Sequence, residues 1–242
     1  MTVKLHDFKA LTFDCYGTLI DWESGLWAAL QPLLKRAQLT ARRDEVLEQF
    51  ARHEVAQEAL TPAMLYPQLL AEVHRQLAED WEVDVGAPAH EAFGRSIPQW
   101  PAFPDTPEAL RYLKRHYKLV ILSNVDRASF AASNGKLGVE FDLICTAQDI
   151  GSYKPDARNF RYLVEAVGRL RIAPAHILHT AQSLYHDHAP AQAAGLKSAW
   201  IDRRHEREGW GATRPPEGTP EYNFRFTSMA EMARAHAAET PA

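Results

Sequence analysis

Compact apolar runs of strand length recur along the chain and alternate with stretches of helical periodicity. The strand-like runs cover residues 8–14, 118–124, 141–147, 176–181 and 197–202. The helical patterns of the same region cover residues 106–117, 127–138, 156–170 and 189–196. Residues 224–239 predict one more short strand and a closing helix. This alternation predicts an α/β fold of right-handed βαβ units, with a parallel sheet covered by helices on both faces.

One long segment between the first and second strands interrupts the alternation. It has no strand pattern and predicts helices over residues 25–37, 42–60, 64–81 and 88–97. Four prolines between residues 98 and 107 then indicate a stiff return to the alternating region. We therefore predict a core domain of residues 1–20 and 101–242 and an inserted all-helical cap domain of residues 21–100. Such an insertion would cover the carboxyl edge of the sheet, where ligands bind in open α/β folds.

Composition and charge narrow the location and the classes of partner. The chain of 242 residues is 46% hydrophobic and 24% charged, which is typical of a globular protein. The net charge of −4 gives no electrostatic reason to expect nucleic acid or an anionic membrane as a partner. Two scattered cysteines indicate a reducing compartment rather than a disulfide framework. No apolar run is long enough for a membrane span, so we expect a cytoplasmic location.

Chemically useful side chains follow the ends of the predicted strands. Asp14 follows the first strand, Ser123 and Asn124 end the second, and Lys154 and Asp187 follow later strands. Because the carboxyl ends of parallel strands share one edge, these groups can meet although they are far apart in sequence. A carboxylate, a hydroxyl, an ammonium and a second carboxylate are sufficient for covalent catalysis. An ammonium beside Asp14 would also keep that carboxylate ionised.

The segments that carry these residues resemble the four ordered motifs of the haloacid dehalogenase superfamily. The segments are "DCYGTL", "LSN", "YKPD", and Asp187 followed by "HAPAQAAGL". The resemblance covers nearly the whole chain and implies a Rossmann-like core with a mobile cap. It also implies that Asp14 is the nucleophile.

Three positions distinguish between branches of this superfamily. Its phosphatases resemble one another in a second aspartate two residues after the nucleophile, where this chain has Tyr16. They also usually have Gly and Asp where this chain has Ala181 and Gln182. The chain is therefore more similar to the L-2-haloacid dehalogenase (type II) branch, which has tyrosine after the nucleophile and needs no metal. The resemblance thus implies no cofactor, and Mg²⁺ only under the phosphatase alternative.

The resemblance implies catalytic roles for Asp14, Lys154 and Asp187. Asp14 would attack C2 of a short 2-haloalkanoic acid and displace halide with inversion. Water would then hydrolyse the resulting ester, with Asp187 as the candidate that positions or activates it. Halide leaves without a proton, so this reaction does not require the missing second aspartate.

Five positions are candidates for substrate binding. They are Cys15, Tyr16, Arg52, Ser123 and Asn124. The resemblance implies that an arginine of the cap and the amide of Asn124 cradle the halide. Ser123 and nearby backbone amides would hold the substrate carboxylate. Spacing and helical context favour Arg52 as that arginine, with Arg42 and Arg43 as alternatives.

Several positions depart from the dehalogenase pattern or allow a simpler interpretation. Gln182 stands where serine is common, and Phe160 stands where tyrosine is common. His186 and His188 flank Asp187, and either could act as base or orienter. The thiol of Cys15 is best interpreted as a small buried hydrophobic group.

Three classes of function stay open from the sequence. The first is the metal-independent dehalogenase, and the second is a Mg²⁺-dependent phosphatase that acts on a small phosphate ester. The third is a catalytically silent scaffold that keeps the fold as a binding module. Simpler interpretations of single residues are that Asp187 only caps a helix and that Lys154 is a solvated loop residue. Retention of the acids and the lysine together argues against the scaffold. Dimers are common among similar proteins, so a homodimer also stays open.

Overall fold

A computed structural model describes residues 3–239, in which a six-stranded parallel sheet has the order β3-β2-β1-β4-β5-β6. The strands are β1 (Ala10–Phe13), β2 (Lys118–Ser123), β3 (Leu143–Thr146), β4 (Ile177–Ala181), β5 (Lys197–Ile201) and β6 (Phe224–Phe226). The order reverses at β1, which pairs with β2 on one side and with β4 on the other. Ligands of doubly wound sheets bind at such a reversal, outside the carboxyl ends of the strands. The predicted α/β class with a parallel sheet is confirmed.

Ten α-helices surround or extend this sheet in the described part of the chain. They are α1 (Trp22–Arg36), α2 (Arg43–Leu60), α3 (Tyr66–Asp80), α4 (Ala87–Gly94), α5 (Thr106–Leu113), α6 (Arg127–Leu137), α7 (Ala147–Ile150), α8 (Ala157–Gly168), α9 (Ala189–Ala193) and α10 (Met229–Glu239). Short 3-10 turns lie at Leu5–Asp7, Ile97–Gln99 and Pro174–His176, and a π-helical turn lies at Leu184–His188. None of the helices within residues 3–239 is long and apolar enough to cross a membrane.

Apolar side chains of the central strands fill two separate cores, one on each face of the sheet. Leu11 and Phe13 belong to a core that also contains cap and N-terminal residues, whereas Ala10 belongs to the second core with Val120 and Leu122. Successive residues of a strand point to opposite faces, so a continuous apolar run serves both cores. Burial on both faces explains why the sequence shows short apolar blocks here rather than alternation.

The segment between β1 and β2 contains helices α1 to α4 and no strand of the sheet. We call residues 21–100 the cap. Its all-helical content is as predicted, and its boundaries as a separate domain stay a prediction. The side chain of Asp21 accepts a hydrogen bond from the backbone N–H of Ser24 and so caps α1. Gly17 has a φ of +92°, which lets the chain turn sharply between β1 and the cap.

Close packing between α1 and the end of the cap gives a test of this arrangement. A β-carbon on Gly25 would lie 2.3 Å from the ring of the buried Trp100. Gly25→Ala should therefore destabilise the fold by about 1–3 kcal/mol through overpacking. Gly135 in α6 has open space around it, so Gly135→Ala should stabilise by about 0.5–1 kcal/mol through helix propensity. Urea unfolding measures both, and a neutral Gly25→Ala would contradict the packing described.

Candidate active site

A small cavity lies where the carboxyl ends of β1, β2 and β4 meet the cap. Its volume is about 40 Å³, and its lining includes Asp14, Ser123, Asn124, Lys154 and Asp187. The structure thus brings together the five strand-end residues that the sequence singled out. Helix α2, through Glu54 and Glu58, and Tyr66 of α3 cover them from the cap side.

Lys154 forms the centre of this cavity. Its ammonium donates hydrogen bonds to Oδ1 of Asp14 at 2.9 Å and to Oδ1 of Asp187 at 2.7 Å. It also contacts the carbonyl oxygen of Leu122 at 3.3 Å. All three charged groups are buried. The side chain therefore holds the acid that follows β1 against the acid that follows β4.

Burial and these ion pairs give the three groups different acidities. Burial alone would lower the pKa of Lys154, but the two carboxylates outweigh it and raise that pKa above its ordinary value. Burial would raise the pKa of Asp187, yet Lys154 and His179 hold it below its usual range. For Asp14, burial prevails over Lys154 and Thr18, so its pKa is raised. Asp14 is therefore the more basic carboxylate and the better nucleophile of the two.

The second acid sits in an unusual backbone turn that buried histidines support. Asp187 belongs to the π-helical turn after β4, and π-helical turns are frequent at functional sites. Its Oδ1 also contacts Nε2 of His179 at 2.9 Å, and Nδ1 of His179 contacts the Thr12 hydroxyl at 2.9 Å. The Oδ2 atom of Asp187 is buried and has no hydrogen-bond partner in the described part of the protein. That oxygen is available to a bound molecule.

Thr18 fixes the other oxygen of Asp14. Its hydroxyl donates to Oδ2 of Asp14 at 2.6 Å and accepts from the backbone N–H of Gln182 at 2.9 Å. Gln182 lines the cavity, and its Oε1 accepts a hydrogen bond from the hydroxyl of Thr213 at 3.2 Å. Both oxygens of Asp14 are thus oriented before any substrate binds, which favours a single direction of attack.

The predicted substrate-binding residues of the core have different surroundings. The hydroxyl of Ser123 is buried in the cavity lining without a partner in residues 3–239, so it can bind a ligand. Asn124 donates to Oε1 of Glu58 and to the carbonyl of Lys154, both at 3.1 Å. Tyr16 lines the cavity, but its hydroxyl contacts Oγ of Ser133 at 2.8 Å.

Two core side chains that the sequence had marked do not line this cavity. Cys15 is fully buried in the hydrophobic core, and burial raises its pKa well above the ordinary value. As a substrate-binding position it can therefore contribute its backbone but not its thiol. Phe160 packs edge-on against the ring of His179, with 5.0 Å between ring centroids. Phe160 therefore supports His179, which in turn contacts Asp187.

The structure does not bring the predicted cap arginine to the cavity. Arg52 is exposed and lines a different groove, between α2 and residues 210–215. Arg42 is exposed and pairs with Glu45 at 2.6 Å, and Arg43 does not line the cavity either. The reason is the phase of helix α2, since the face turned towards Asp14 carries other residues.

That face of α2 carries two buried glutamates. Glu54 and Glu58 are four residues apart, so they stack on one face, and both line the cavity. The hydroxyl of Tyr66 donates to Oε1 of Glu54 at 2.6 Å. Burial raises the pKa of Glu54 to about 8. Burial and the neighbouring Glu54 raise the pKa of Glu58 well above its ordinary value.

The two histidines that flank Asp187 have different environments. His188 is fully buried and contacts Oγ of Ser198 at 2.9 Å and the carbonyl of Ala181 at 3.0 Å, which is a structural role. His186 lines the cavity, and its Nε2 is buried without a hydrogen-bond partner in the described residues. Burial lowers the pKa of His186 to about 4, so the imidazole is neutral near pH 7.

The donor set fits a divalent metal ion poorly. Mg²⁺ requires oxygen ligands in near-octahedral geometry, whereas an ammonium bridges Asp14 and Asp187 here. Tyr16 directs its hydroxyl to α6 and so supplies no third anionic ligand. Within residues 3–239, no group of three or more His, Cys, Asp or Glu side chains is arranged to hold a metal ion.

Sequence reasoning missed four residues of the site: Thr18, His179, Glu54 and Glu58. Thr18 could have been found from the sequence, because it lies in the same "DCYGTL" motif as Asp14. The i, i+4 spacing of the glutamates places them on one face of a helix, but their direction depends on how the cap packs. His179 lies inside an apolar strand, where a histidine suggests only a core position.

Comparisons with known proteins are consistent with this geometry. A family model described as a haloacid dehalogenase-like hydrolase matches residues 8–195. A mouse haloacid dehalogenase-like hydrolase domain-containing protein 3 is 38% identical over 87 residues, 35% of this chain and 33% of that protein. A phosphoserine phosphatase of Thermus thermophilus is 27% identical over 152 residues, 61% of this chain and 56% of that enzyme. The chain thus covers less than two thirds of the length of either relative.

Solved structures of L-2-haloacid dehalogenases share the fold. One is 24% identical with a TM-score of 0.75, and the superposition covers 94% of this chain and 98% of that one. Another, from Xanthobacter autotrophicus with chloropropionic acid covalently bound, is 17% identical with a TM-score of 0.77. It covers 96% of this chain and 100% of that one. The fold is therefore one that these enzymes also have.

The raised pKa of Glu54 predicts a specific dependence of stability on pH. The folded protein keeps this proton up to a pKa of about 8, whereas an ordinary glutamate has a pKa of 4.5. The contribution of Glu54 to stability should therefore be fully present below the ordinary pKa and should be lost as pH rises through about 8. Each unit of pKa shift corresponds to roughly 1.4 kcal/mol.

Urea unfolding of the wild type and of Glu54→Gln at about pH 6 and about pH 9 measures this effect. The wild type should lose more stability than Glu54→Gln over that interval. Glu48→Gln removes an exposed carboxylate of the same helix and should behave like the wild type. Equal losses in the wild type and Glu54→Gln would contradict the assigned protonation.

Proposed function

Because the chain belongs to the haloacid dehalogenase-like hydrolase family, as its match over residues 8–195 establishes, we propose that it is a hydrolytic dehalogenase. The proposed substrates are short 2-haloalkanoic acids, and the proposed intermediate is an ester on Asp14. The small volume of the cavity, about 40 Å³, favours the shortest of these acids.

The observation that carries this proposal is the position of the Lys154 ammonium between the two acids. It lies 2.9 Å from Asp14 and 2.7 Å from Asp187, so the chain itself supplies the cation at the centre of the site. A fixed ammonium favours the ionised form of Asp14 against the effect of burial and attracts an anionic substrate. This arrangement suits displacement at carbon, in which the leaving halide carries its own charge away.

In the first step an oxygen of Asp14 attacks C2 of the acid. The carbon–halogen bond breaks with its electron pair on the halogen, and an ester joins C2 to Asp14. The buried hydroxyl of Ser123 is available to the substrate carboxylate. Thr18 and Lys154 hold the two oxygens of Asp14 in a fixed orientation, which reduces the entropy cost of reaching the attack geometry.

In the second step water attacks the carbonyl carbon of the Asp14 ester. The bond between that carbon and the ester oxygen breaks, so the 2-hydroxy acid leaves and the carboxylate of Asp14 is restored. Oδ2 of Asp187, buried without a partner in the described residues, is the proposed site that orients this water. Lys154 and His179 keep Asp187 ionised and in place.

Phosphatase activity is the second candidate, because a phosphoserine phosphatase is among the relatives. The poor fit of a divalent cation beside Lys154 argues against it. The two candidates predict opposite responses to metal, because the dehalogenase would keep its activity with a chelator and the phosphatase would require Mg²⁺.

We predict that the wild type releases halide from 2-chloropropionate in the presence of EDTA and that Asp14→Asn releases none. An amide fills the same volume but is not a nucleophile, so the variant should fold normally. Ion chromatography measures halide, and p-nitrophenyl phosphate with and without Mg²⁺ is the parallel assay. Phosphate release that depends on Mg²⁺, without halide release, would overturn the dehalogenase.

Lys154→Met and Asp187→Asn should fail at different steps. Without the ammonium, the alkylation of Asp14 should stop, and no adduct should form. Asp187→Asn should still attack C2 but hydrolyse the ester slowly, so an adduct on Asp14 should accumulate. Intact-protein mass spectrometry after substrate addition distinguishes the two. An Asp187→Asn variant with neither halide release nor adduct would place Asp187 in the first step or in structure alone.

A further inference from the structure

The cap contributes acidic groups, not a basic group, to the cavity. Glu54 and Glu58 are 3% and 6% exposed, and both face the space above Asp14. Lys154 is the only lysine or arginine that lines this cavity in the described part of the protein. It is already shared between Asp14 and Asp187. A leaving group that departs towards the cap therefore meets carboxyl groups.

Glu58 is the cap acid in direct contact with the core. Its Oε1 accepts a hydrogen bond from Nδ2 of Asn124 at 3.1 Å. Its Oε2 lies 3.7 Å from Nε2 of His186. Asn124 and His186 both line the cavity that contains Asp14. These contacts fix the carboxyl group of Glu58 at the cavity wall.

Unlike Glu58, some other polar atoms of the same cavity have no hydrogen-bond partner in the described residues. The Ser123 hydroxyl and Oδ2 of Asp187 are fully buried with no hydrogen-bond partner among residues 3–239. Buried polar groups are rarely left unpaired unless a ligand or water completes them. Glu58 therefore borders a space built to receive a polar molecule.

The charge of the cavity decides the protonation of Glu58. Asp14 and Asp187 already carry two negative charges against one positive charge on Lys154. Two more buried carboxylates would repel them without compensation. In agreement, burial and Glu54 raise the pKa of Glu58 well above its ordinary value. This surplus of negative charge favours the protonated, neutral form of Glu58, and a neutral carboxylic acid can donate its proton.

We infer that Glu58 is the general acid for the departing halide and that the site therefore favours fluoride as the leaving group. This inference rests on the proposed dehalogenase function. Among the halides, fluoride is the most basic and the strongest hydrogen-bond acceptor, so its departure depends most on a proton donor. Bromide needs no such help. The substrate class is thus a short 2-fluoro acid, of which fluoroacetate is the smallest.

Over one turnover Glu58 donates one proton and regains one from water. Asp14 attacks C2, the carbon–fluorine bond breaks with its electron pair on fluorine, and the Glu58 proton passes to fluoride. Water then attacks the ester on Asp14, and the proton that water loses returns to the Glu58 carboxylate. Nε2 of His186, 3.7 Å from Oε2 of Glu58, borders that return path. The net reaction consumes one water and yields the 2-hydroxy acid and hydrogen fluoride.

The experiment that tests this inference compares three leaving groups in the wild type and in Glu58→Gln. Fluoroacetate, chloroacetate and bromoacetate are the substrates, and ion chromatography measures halide release. Glutamine keeps the shape and can accept from Asn124, but it cannot transfer a proton. We expect fluoride release to fall by about 10²-fold or more, while bromide release changes little. Glu48→Gln, an exposed glutamate of the same helix, is the matched control and should resemble the wild type for all three acids.

A second measurement needs no variant. In the wild type, the ratio of fluoride release to bromide release should decrease as pH rises through the raised pKa of Glu58, because only the protonated acid donates. In Glu58→Gln this ratio should not change with pH. The titratable groups that surround Glu58 are Glu54, Tyr66, Tyr153, Lys154, Asp14 and His186.

The outcomes separate this inference from the proposed function. If wild type releases no halide from any acid, the dehalogenase and the role of Glu58 both fall. If wild type releases halide and Glu58→Gln slows all three acids equally, the dehalogenase stands and Glu58 only positions Asn124 or the cap. A fluoride-to-bromide ratio that does not change with pH in the wild type would likewise overturn the general-acid role.

Discussion

The buried ammonium of Lys154 is the interaction on which the rest of the site depends. A lysine is rarely buried unless it is paired, because removing its charge from water costs several kcal/mol. Asp14 and Asp187 compensate that cost from two different strands. Each of the three charges is therefore tolerable only in the presence of the others, and the carboxyl ends of β1 and β4 are held together at the point where the sheet reverses.

Support for this charged centre extends into the core through neutral groups. His179 and Thr12 continue the chain of contacts behind Asp187, and Phe160 packs on His179. Thr18 links Asp14 to the backbone of Gln182. These hydrogen bonds restrict the orientation of the Asp14 and Asp187 carboxylates and so hold them in a defined geometry. All of them lie within the core and involve no residue of the cap.

The cap adds a different kind of chemistry. Where the resemblance implied a positive group for the halide, the face of α2 turned to the cavity presents Glu54 and Glu58, and Arg52 lies outside. Contacts between cap and core also pass through this face, since Asn124 donates to Glu58. Under the proposed function, a departing group would meet a proton donor rather than a cation. The core would then determine how Asp14 attacks, and the cap would determine which leaving group is accepted.

Local patterns were sufficient to predict the parallel sheet, the helical insertion and the gathering of Asp14, Ser123, Lys154 and Asp187 at one edge. The reason is that apolar blocks identify buried strands, and residues that follow parallel strands share an edge whatever their separation in sequence. The cap side of the cavity could not be read in this way. Which face of α2 turns inward depends on packing among α1 to α4. Successive residues are about 100° apart around a helix axis, so Arg52 lies on a different side of α2 from Glu54 and Glu58. Protonation of those glutamates was equally beyond the sequence, because it follows from burial beside two other acids, and burial is a property of the tertiary structure alone.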